Sequence, residues 1–177
     1  TLHKMVIDRI EREIQHAKAG KPARITAKMN SLIEPSVIDA LYQASAAGVQ
    51  VDLIVRGMCT LRPGVKGLSE NIRVRSIVGR QLEHSRIYCF HNNGADDTFI
   101  SSADWMGRNF FRRIEVATPV TTPTLKKRVI HEGLTMALDD NTHAWLMQPD
   151  GSYIRATPAE GESEVDLQND LWVLHGG

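Results

Sequence analysis

The segment RITAKMNSLIEPSVIDALYQASAAGVQVDLIV, residues 24–55, constrains the fold more than any other part of the chain. Residues 24–29 alternate, with Ile25, Ala27 and Met29 on one side, as a strand does. Pro35 stands where a helix begins, and Val37, Ile38, Leu41 and Ala44 recur along one face until Gly48 stops it. The next run, VQVDLIV over 49–55, is too apolar for a solvated edge and belongs at the centre of a covered sheet. Strand, helix and strand in this length make a βαβ unit, whose crossover is right-handed and whose strands are parallel.

The remaining pattern extends that unit. Leu2, Met5, Val6, Ile10, Ile14 and Ala17 fall near one helical face, closed by Gly20 and Pro22. Residues 57–71 read as loop, and further strands are expected at 72–78, 86–91, 97–102 and 113–118. Asn92-Asn93-Gly94 marks a hairpin between two of them. Thr122-Pro123 opens another helix as cap and first residue, with Leu125, Val129 and Met136 on one side. A second hairpin is expected around Pro149-Asp150-Gly151, and residues 157–177 are acidic and weakly patterned until LWVL. The expected fold class is therefore α/β, a mixed β-sheet flanked by α-helices in one domain over 1–177.

Composition narrows the function. A chain of 177 residues with 42% hydrophobic and 24% charged residues folds around a core and is not a disordered segment. Its apolar runs are far shorter than the roughly 20 residues a membrane span needs. The chain begins at Thr1 with no charged-then-apolar leader, so no secretory signal is expected and a fragment of a longer, cytoplasmic protein is. Cys59 and Cys89 form no CxxC and read as reduced, buried thiols. Net charge is zero, yet residues 56–113 hold ten Lys and Arg against five Asp and Glu, nine of the ten being Arg. That excess favours bidentate grips on phosphate or carboxylate. Residues 132–177 hold one basic residue against nine acidic ones, an acidic cover.

The candidate chemistry lies in QLEHSRIYCF and the run that ends SSADW. His84 and Arg86 are two apart at a strand entrance, and Ser102 and Asp104 are two apart where the next strand ends. If those strands pair, the four side chains converge on one end of the sheet. A histidine beside a guanidinium can meet a phosphoryl oxygen and move a proton near neutral pH. Arg56 ends VDLIV, and Lys28 and Asn30 end the first strand, so all three stand at the crevice where α/β sheets bind ligands. The blander alternative for Arg56 is a salt-bridged strand terminus. Arg113 and Glu115 share an expected strand face and could pair there. There is no GxGxxG, no GxxxxGK[ST] and no metal-ligand spacing: His131-Glu132 stands alone in a helix and His143 is isolated. Trp105, Trp145 and Trp172 are too scattered to stack bases and suit core or interface, so no nucleic acid is expected.

The long runs VRGMC, SIVGRQLEHSRIY and SSADWMGRN, together with RRIEVATPV, resemble the C-terminal catalytic domain of polyphosphate kinase, from about residue 24 to the PDGSYIR hairpin. That family is distantly similar to phospholipase D, where two similar halves each give a histidine. His84-Ser85-Arg86 looks like its His-x-Lys, and residues 101–104 look like its Gly-Ser-x-Asn. Arg86 for lysine, His91 for aspartate and Asp104 for asparagine are departures that fit the kinase and weaken a diesterase.

The resemblance implies a phospholipase D-like fold and a kinase moving the γ-phosphate of ATP reversibly onto polyphosphate, with Mg2+ arriving on ATP rather than held by a motif here. It further implies a phosphohistidine in a preceding domain of the same polypeptide. His84 is then the second active-site histidine and acid/base candidate, and Arg56 an ATP-phosphate ligand. Arg86 and Arg113 are added as phosphate-binding candidates on spacing and charge alone. The partners implied are ATP or ADP, polyphosphate, the missing domains and further copies of the full-length protein. The location implied is cytoplasmic, with a peripheral place at the inner membrane as its variant. With one His-x-Arg strand, the fragment is expected to hold half a site and to be inactive alone. The alternatives are a phospholipase D-like diesterase or nuclease working as a dimer, and a non-catalytic polyphosphate-binding module.

Overall fold

The computed structural model describes residues 1–176. Helix α1 (Leu2–Lys18) starts where Thr1 Oγ1 accepts the Lys4 N–H at 3.3 Å, and it buries Val6, Ile10 and Ile14 one turn apart. Each such burial contributes about 1.5–3 kcal/mol. Strand β1 (Arg24–Met29), helix α2 (Pro35–Ala46) and strand β2 (Gln50–Val55) form the expected βαβ unit, with β1 and β2 parallel from Arg24↔Gln50 to Met29↔Val55. Pro35 occupies the first turn of α2, and the Glu34 carboxylate caps it by accepting the Val37 N–H at 2.8 Å.

Strand β3 (Ile72–Ile77) joins β2 in parallel, so the middle of the sheet is three parallel strands. Strands β4 (Arg86–Phe90) and β5 (Asp97–Ser101) make the antiparallel hairpin around Asn92-Asn93-Gly94, and β4 lies against β1. Asn92 and Asn93 turn at φ of 45° and 54°, a conformation asparagine tolerates. The short helix α3 (Gly107–Phe111) leads to strand β6 (Ala117–Pro119) on the outer edge of β5. The chain returns through α4 (Pro123–Ile130), a π-helical turn (His131–Thr135) and α5 (Met136–Asp139) to β7 (Ala144–Met147) and β8 (Tyr153–Arg155), and ends in α6 (Leu167–Leu174). The sheet has eight strands in the order β6-β5-β4-β1-β2-β3-β7-β8.

Its two faces differ in chemistry. Ile25, Ala27, Met29, Leu53, Tyr88 and Phe90 point toward α1 and α2 and form the larger core. The alternate residues include Ile54, Ile77, Ile87 and Cys89, which pack with Leu134, Ala137 and Leu167 from the returning helices. That second face also buries Thr26, Lys28 and Asp52. Buried Glu13 ties α1 to the sheet, its two oxygens accepting the Arg24 N–H at 3.2 Å and the Asn92 N–H at 2.7 Å.

Three expectations are corrected. The strand expected at 113–118 is confined to Ala117–Pro119, because side-chain contacts from Ser102 and Asn109 hold Glu115 and residues 112–116 turn over the end of the sheet. Arg113 and Glu115 therefore share no strand face, and Glu115 instead accepts from Ser102 Oγ and Asn109 Nδ2. The helix from Thr122 is interrupted by the π-helical turn, whose extra residue rotates the buried face. Leu125 is consequently exposed, and Leu134 and Ala137 carry the packing. LWVL lies within helix α6, and among the described residues no helix is long and apolar enough to cross a membrane.

Candidate functional site

The parallel strands β1 and β2 end at the same edge where antiparallel β4 begins and β5 finishes, so topology alone gathers Asn30, Arg56, His84, Arg86 and Asp104 at one rim. The core of the rim is the Asp104 carboxylate, 5% exposed. Its Oδ1 accepts the Asn30 N–H at 2.7 Å, the Ser31 N–H at 3.3 Å and Arg86 Nε at 3.2 Å, and its Oδ2 accepts Arg86 Nη2 at 3.2 Å. The third guanidinium nitrogen of Arg86, Nη1, donates to the His84 carbonyl at 3.1 Å. One aspartate thus joins the exit of β1 to the entrance of β4, and Arg86 passes that order on to the backbone of His84.

On the other side of β1, Asn30 Oδ1 accepts Arg56 Nε at 3.0 Å. The contact fixes the Arg56 side chain by its Nε and leaves both Nη groups without a protein partner among the described residues. Gly57 follows, and a Cβ there would lie 2.9 Å from the Asn30 carbonyl oxygen, so glycine permits the close approach of the two strand exits. Beneath the rim, Tyr88 donates its hydroxyl to the Ala103 carbonyl and packs against Trp105 with ring centroids 5.2 Å apart. Burial pushes the Tyr88 phenol far above its ordinary value, so it serves as a donor and not as an acid.

His84 is exposed, and its ring makes no hydrogen bond to the protein among the described residues. An imidazole held by its backbone, with both nitrogens open, suits proton exchange with a ligand. The residue before it is anchored: Glu83 Oε2 accepts Lys28 Nζ at 2.6 Å, and Lys28 is 5% exposed.

The site residues expected from sequence fall into three groups. Arg56 and His84 flank β1 at one rim, with both Arg56 Nη groups and the His84 ring free of hydrogen bonds to the protein among the described residues. Arg86 is at the same rim, but its guanidinium is taken up by Asp104 and the His84 carbonyl, so it frames the site. Arg113 is exposed in the 112–116 turn, beyond β5 and outside the hydrogen-bonded set. Of the four side chains expected to converge, Ser102 turns away, accepting the Val116 N–H at 3.0 Å and donating to Glu115. A cavity of about 490 Å³ lies at the opposite end of the sheet, lined by Arg24, Arg75, Cys89 and His91, and none of the expected site residues borders it. The rim is therefore an open shelf.

Sequence reasoning missed Glu83 and its partner Gln168; Glu83 could have been flagged by its place beside His84, whereas nothing local signals Gln168, which lies 85 residues on. Asp140, His143 and Asp166 also come together, with candidate ligand atoms within 4.8 Å of one another. Asp140 Oδ1 accepts the N–H groups of Thr142, His143 and Ala144 at 2.7–3.2 Å, Oδ2 accepts that of Leu167 at 3.0 Å, and Asp166 caps α6. These carboxylates satisfy backbone donors at a turn and a helix start.

Comparison with known proteins places this geometry. The profile of the family described as polyphosphate kinase C-terminal domain 2 matches residues 1–168. A polyphosphate kinase of Neisseria meningitidis serogroup B is 89% identical over 177 residues, all of this chain and 26% of that protein. One of Burkholderia vietnamiensis is 66% identical over 155 residues, 88% of this chain and 23% of that protein. The crystal structure of polyphosphate kinase from Porphyromonas gingivalis superposes with a TM-score of 0.93 at 44% identity, covering 98% of this chain and 26% of that one. A phospholipase D family member from Salmonella typhimurium, Nuc, shares the fold at a TM-score of 0.55 and 14% identity, covering 87% of this chain and 91% of its own. The chain spans about a quarter of the length of the curated relatives it matches. With residues 1–168 matched by the family's profile, the chain belongs to the polyphosphate kinase C-terminal domain family, on a phospholipase D-like fold.

Proposed function

We propose that the protein containing this domain transfers the γ-phosphate of ATP reversibly to polyphosphate, through a phosphohistidine supplied by a preceding domain, with His84 as the second active-site histidine. The observation that carries this reading is the shared rim: Arg56 with open Nη groups and His84 with an open ring, on either side of β1. In the first half-reaction the nucleophilic histidine forms an N–P bond to the γ-phosphorus as the bond from that phosphorus to the β,γ-bridging oxygen breaks, releasing ADP. Protonated His84 gives its proton to the departing oxygen, an effect worth about 10²–10⁴-fold in rate. In the second, a terminal polyphosphate oxygen forms a bond to the phosphohistidine phosphorus as the N–P bond breaks, which frees the nucleophilic histidine and lengthens the chain by one unit. Arg56 holds the phosphate and offsets charge on its peripheral oxygens.

The Asp104 carboxylate is saturated by four donors and both Glu83 oxygens are taken by Lys28 and Gln168, so the domain's own residues do not suit a metal here, and Mg2+ belongs to the ATP complex. Arg113, exposed beyond β5, is the remaining phosphate-binding candidate, supported by its charge and exposure alone. The full-length protein works in the cytoplasm as an oligomer of identical chains, and the isolated domain is inactive.

In the full-length protein, His84→Ala lowers polyphosphate synthesis from ATP by at least about 100-fold. Arg56→Ala mainly raises the KM for ATP. Retained turnover in His84→Ala would overturn the reading in favour of a non-catalytic binding module, and hydrolysis of bis-p-nitrophenyl phosphate by the isolated domain would revive the diesterase.

A further inference from the structure

We propose that Gln168 and Glu83 are positioning residues for His84, with the C-terminal helix α6 acting as a clip on the loop that carries it; this rests on the reading of His84 as an active-site group. Residues 78–85 connect β3 to β4 without regular structure. The large apolar side chains of this loop do not anchor it, since Val78 is 59% and Leu82 67% exposed. A polar set holds it instead. Gln168 Oε1 accepts the Gln81 N–H at 2.7 Å, and Nε2 donates to the Gln81 carbonyl at 2.8 Å and to Glu83 Oε1 at 2.8 Å.

The side-chain amide of Gln168 therefore pairs with both backbone groups of Gln81, as a neighbouring strand would, and reaches the carboxylate one residue before His84. The second oxygen of that carboxylate is fixed by buried Lys28 on β1 at 2.6 Å. The peptide after His84 is fixed in turn, its carbonyl accepting from Arg86. Gly79 completes the fit, because a Cβ there would stand 2.5 Å from Gln168 Oε1.

An exposed ring with no protein partner can only be aimed by its main chain. His84 sits between two pinned peptide units, one tied to Asp104 through Arg86 and the other to β1 and α6 through Glu83. Misplacement of a reacting group by about 1 Å costs on the order of 100-fold. Helix α6 thus adds a part to the active site from the far end of the chain, without touching substrate.

The test uses the full-length kinase. Gln168→Ala is chosen because its side chain is half-buried on a helix surface and leaves no charge unpaired. It should lower kcat by about 10–100-fold while the KM for ATP, set by Arg56, changes by less than about twofold. In a His84→Ala background it should cost nothing further. Hydrogen exchange at residues 79–85 should quicken by at least about tenfold, with the thermal midpoint unmoved. Gln168→Glu, which loses the donor to Gln81 and faces the Glu83 carboxylate, should not restore kcat. If Gln168→Ala leaves kcat within about twofold, or exchange at 79–85 is unchanged, the clip is refuted while the role of His84 stands. Retained turnover in His84→Ala refutes the site reading itself, and the clip as a catalytic device falls with it.

Discussion

Replacing Asp104 by alanine tests the rim most directly. The substitution removes one carboxylate that joins β1, the entrance of β4 and the Arg86 guanidinium. The Arg86 side chain is only 15% exposed, so its charge stays mostly out of water with its partner gone. Losing one member of a buried ion pair costs about 3–5 kcal/mol, and the residual exposure of Arg86 sets the expectation at the lower end. The N–H groups of Asn30 and Ser31 lose their acceptor at the same time, within that figure. For a chain of this size a loss of about 3 kcal/mol lowers the midpoint by about 6–12 °C. Urea unfolding of the domain measures the loss, and Trp105, fully buried and next to Asp104, supplies the fluorescence signal. Adding Arg86→Met should return part of the stability, because the unpaired charge goes with it. A loss below about 1 kcal/mol, or a double variant as unstable as the sum of the singles, would refute the view that this carboxylate organises the rim.

Three further outcomes follow from particular contacts. Burial alone would raise the Glu34 carboxyl, but hydrogen bonds from Ser36 and Val37 and the charge of His3 outweigh it and hold it below its ordinary 4.5. A carboxyl depressed by folding stabilises above its unfolded pKa and loses that contribution as pH falls through its native value. Glu34→Ala should therefore cost about 1 kcal/mol near neutral pH, and the two unfolding curves should converge below pH 4.5. At Gly133 an added Cβ would stand 2.2 Å from Ile87 Cδ1, so Gly133→Ala should destabilise by about 1–3 kcal/mol, and adding Ile87→Val, which removes that methyl, should return part of it in the same melt. Burial pushes the Cys59 and Cys89 thiols up to about 11, yet Cys59 is only half-buried where the sequence suggested burial, so at mildly alkaline pH a thiol reagent should label Cys59 slowly and Cys89 only on unfolding; rapid native labelling of Cys89 would contradict its burial.

The elements legible in the sequence were those whose causes lie within a few residues of each other. Alternation marked β1, a near-continuous apolar run marked β2, Pro35 and Gly48 bracketed α2, and Asn92-Asn93-Gly94 marked the β4–β5 hairpin. Those local signals sufficed to put Arg56 and the His84–Arg86 pair at strand ends. They failed where backbone behaviour depends on a distant neighbour. The π-helical turn settles Gly133 against Ile87, 46 residues away in sequence, and no helical period in 122–139 announces it. Residues 113–116 belonged to the strand expected at 113–118, yet Ser102 and Asn109 draw Glu115 over the rim.

The division is sharpest at the site. Sequence by itself determined which residue types could do the chemistry, because the proton exchange of an imidazole and the anion grip of a guanidinium are properties of single side chains. Tertiary structure decided which of them are available. Two arginines two strands apart have equal charge, but Asp104 occupies the guanidinium of Arg86 while Asn30 holds Arg56 by one nitrogen and leaves the others open. A charge is fixed by covalent structure, whereas its partner is set by which strands are neighbours, and here β4 lies beside β1 only because the chain crosses the sheet and turns back.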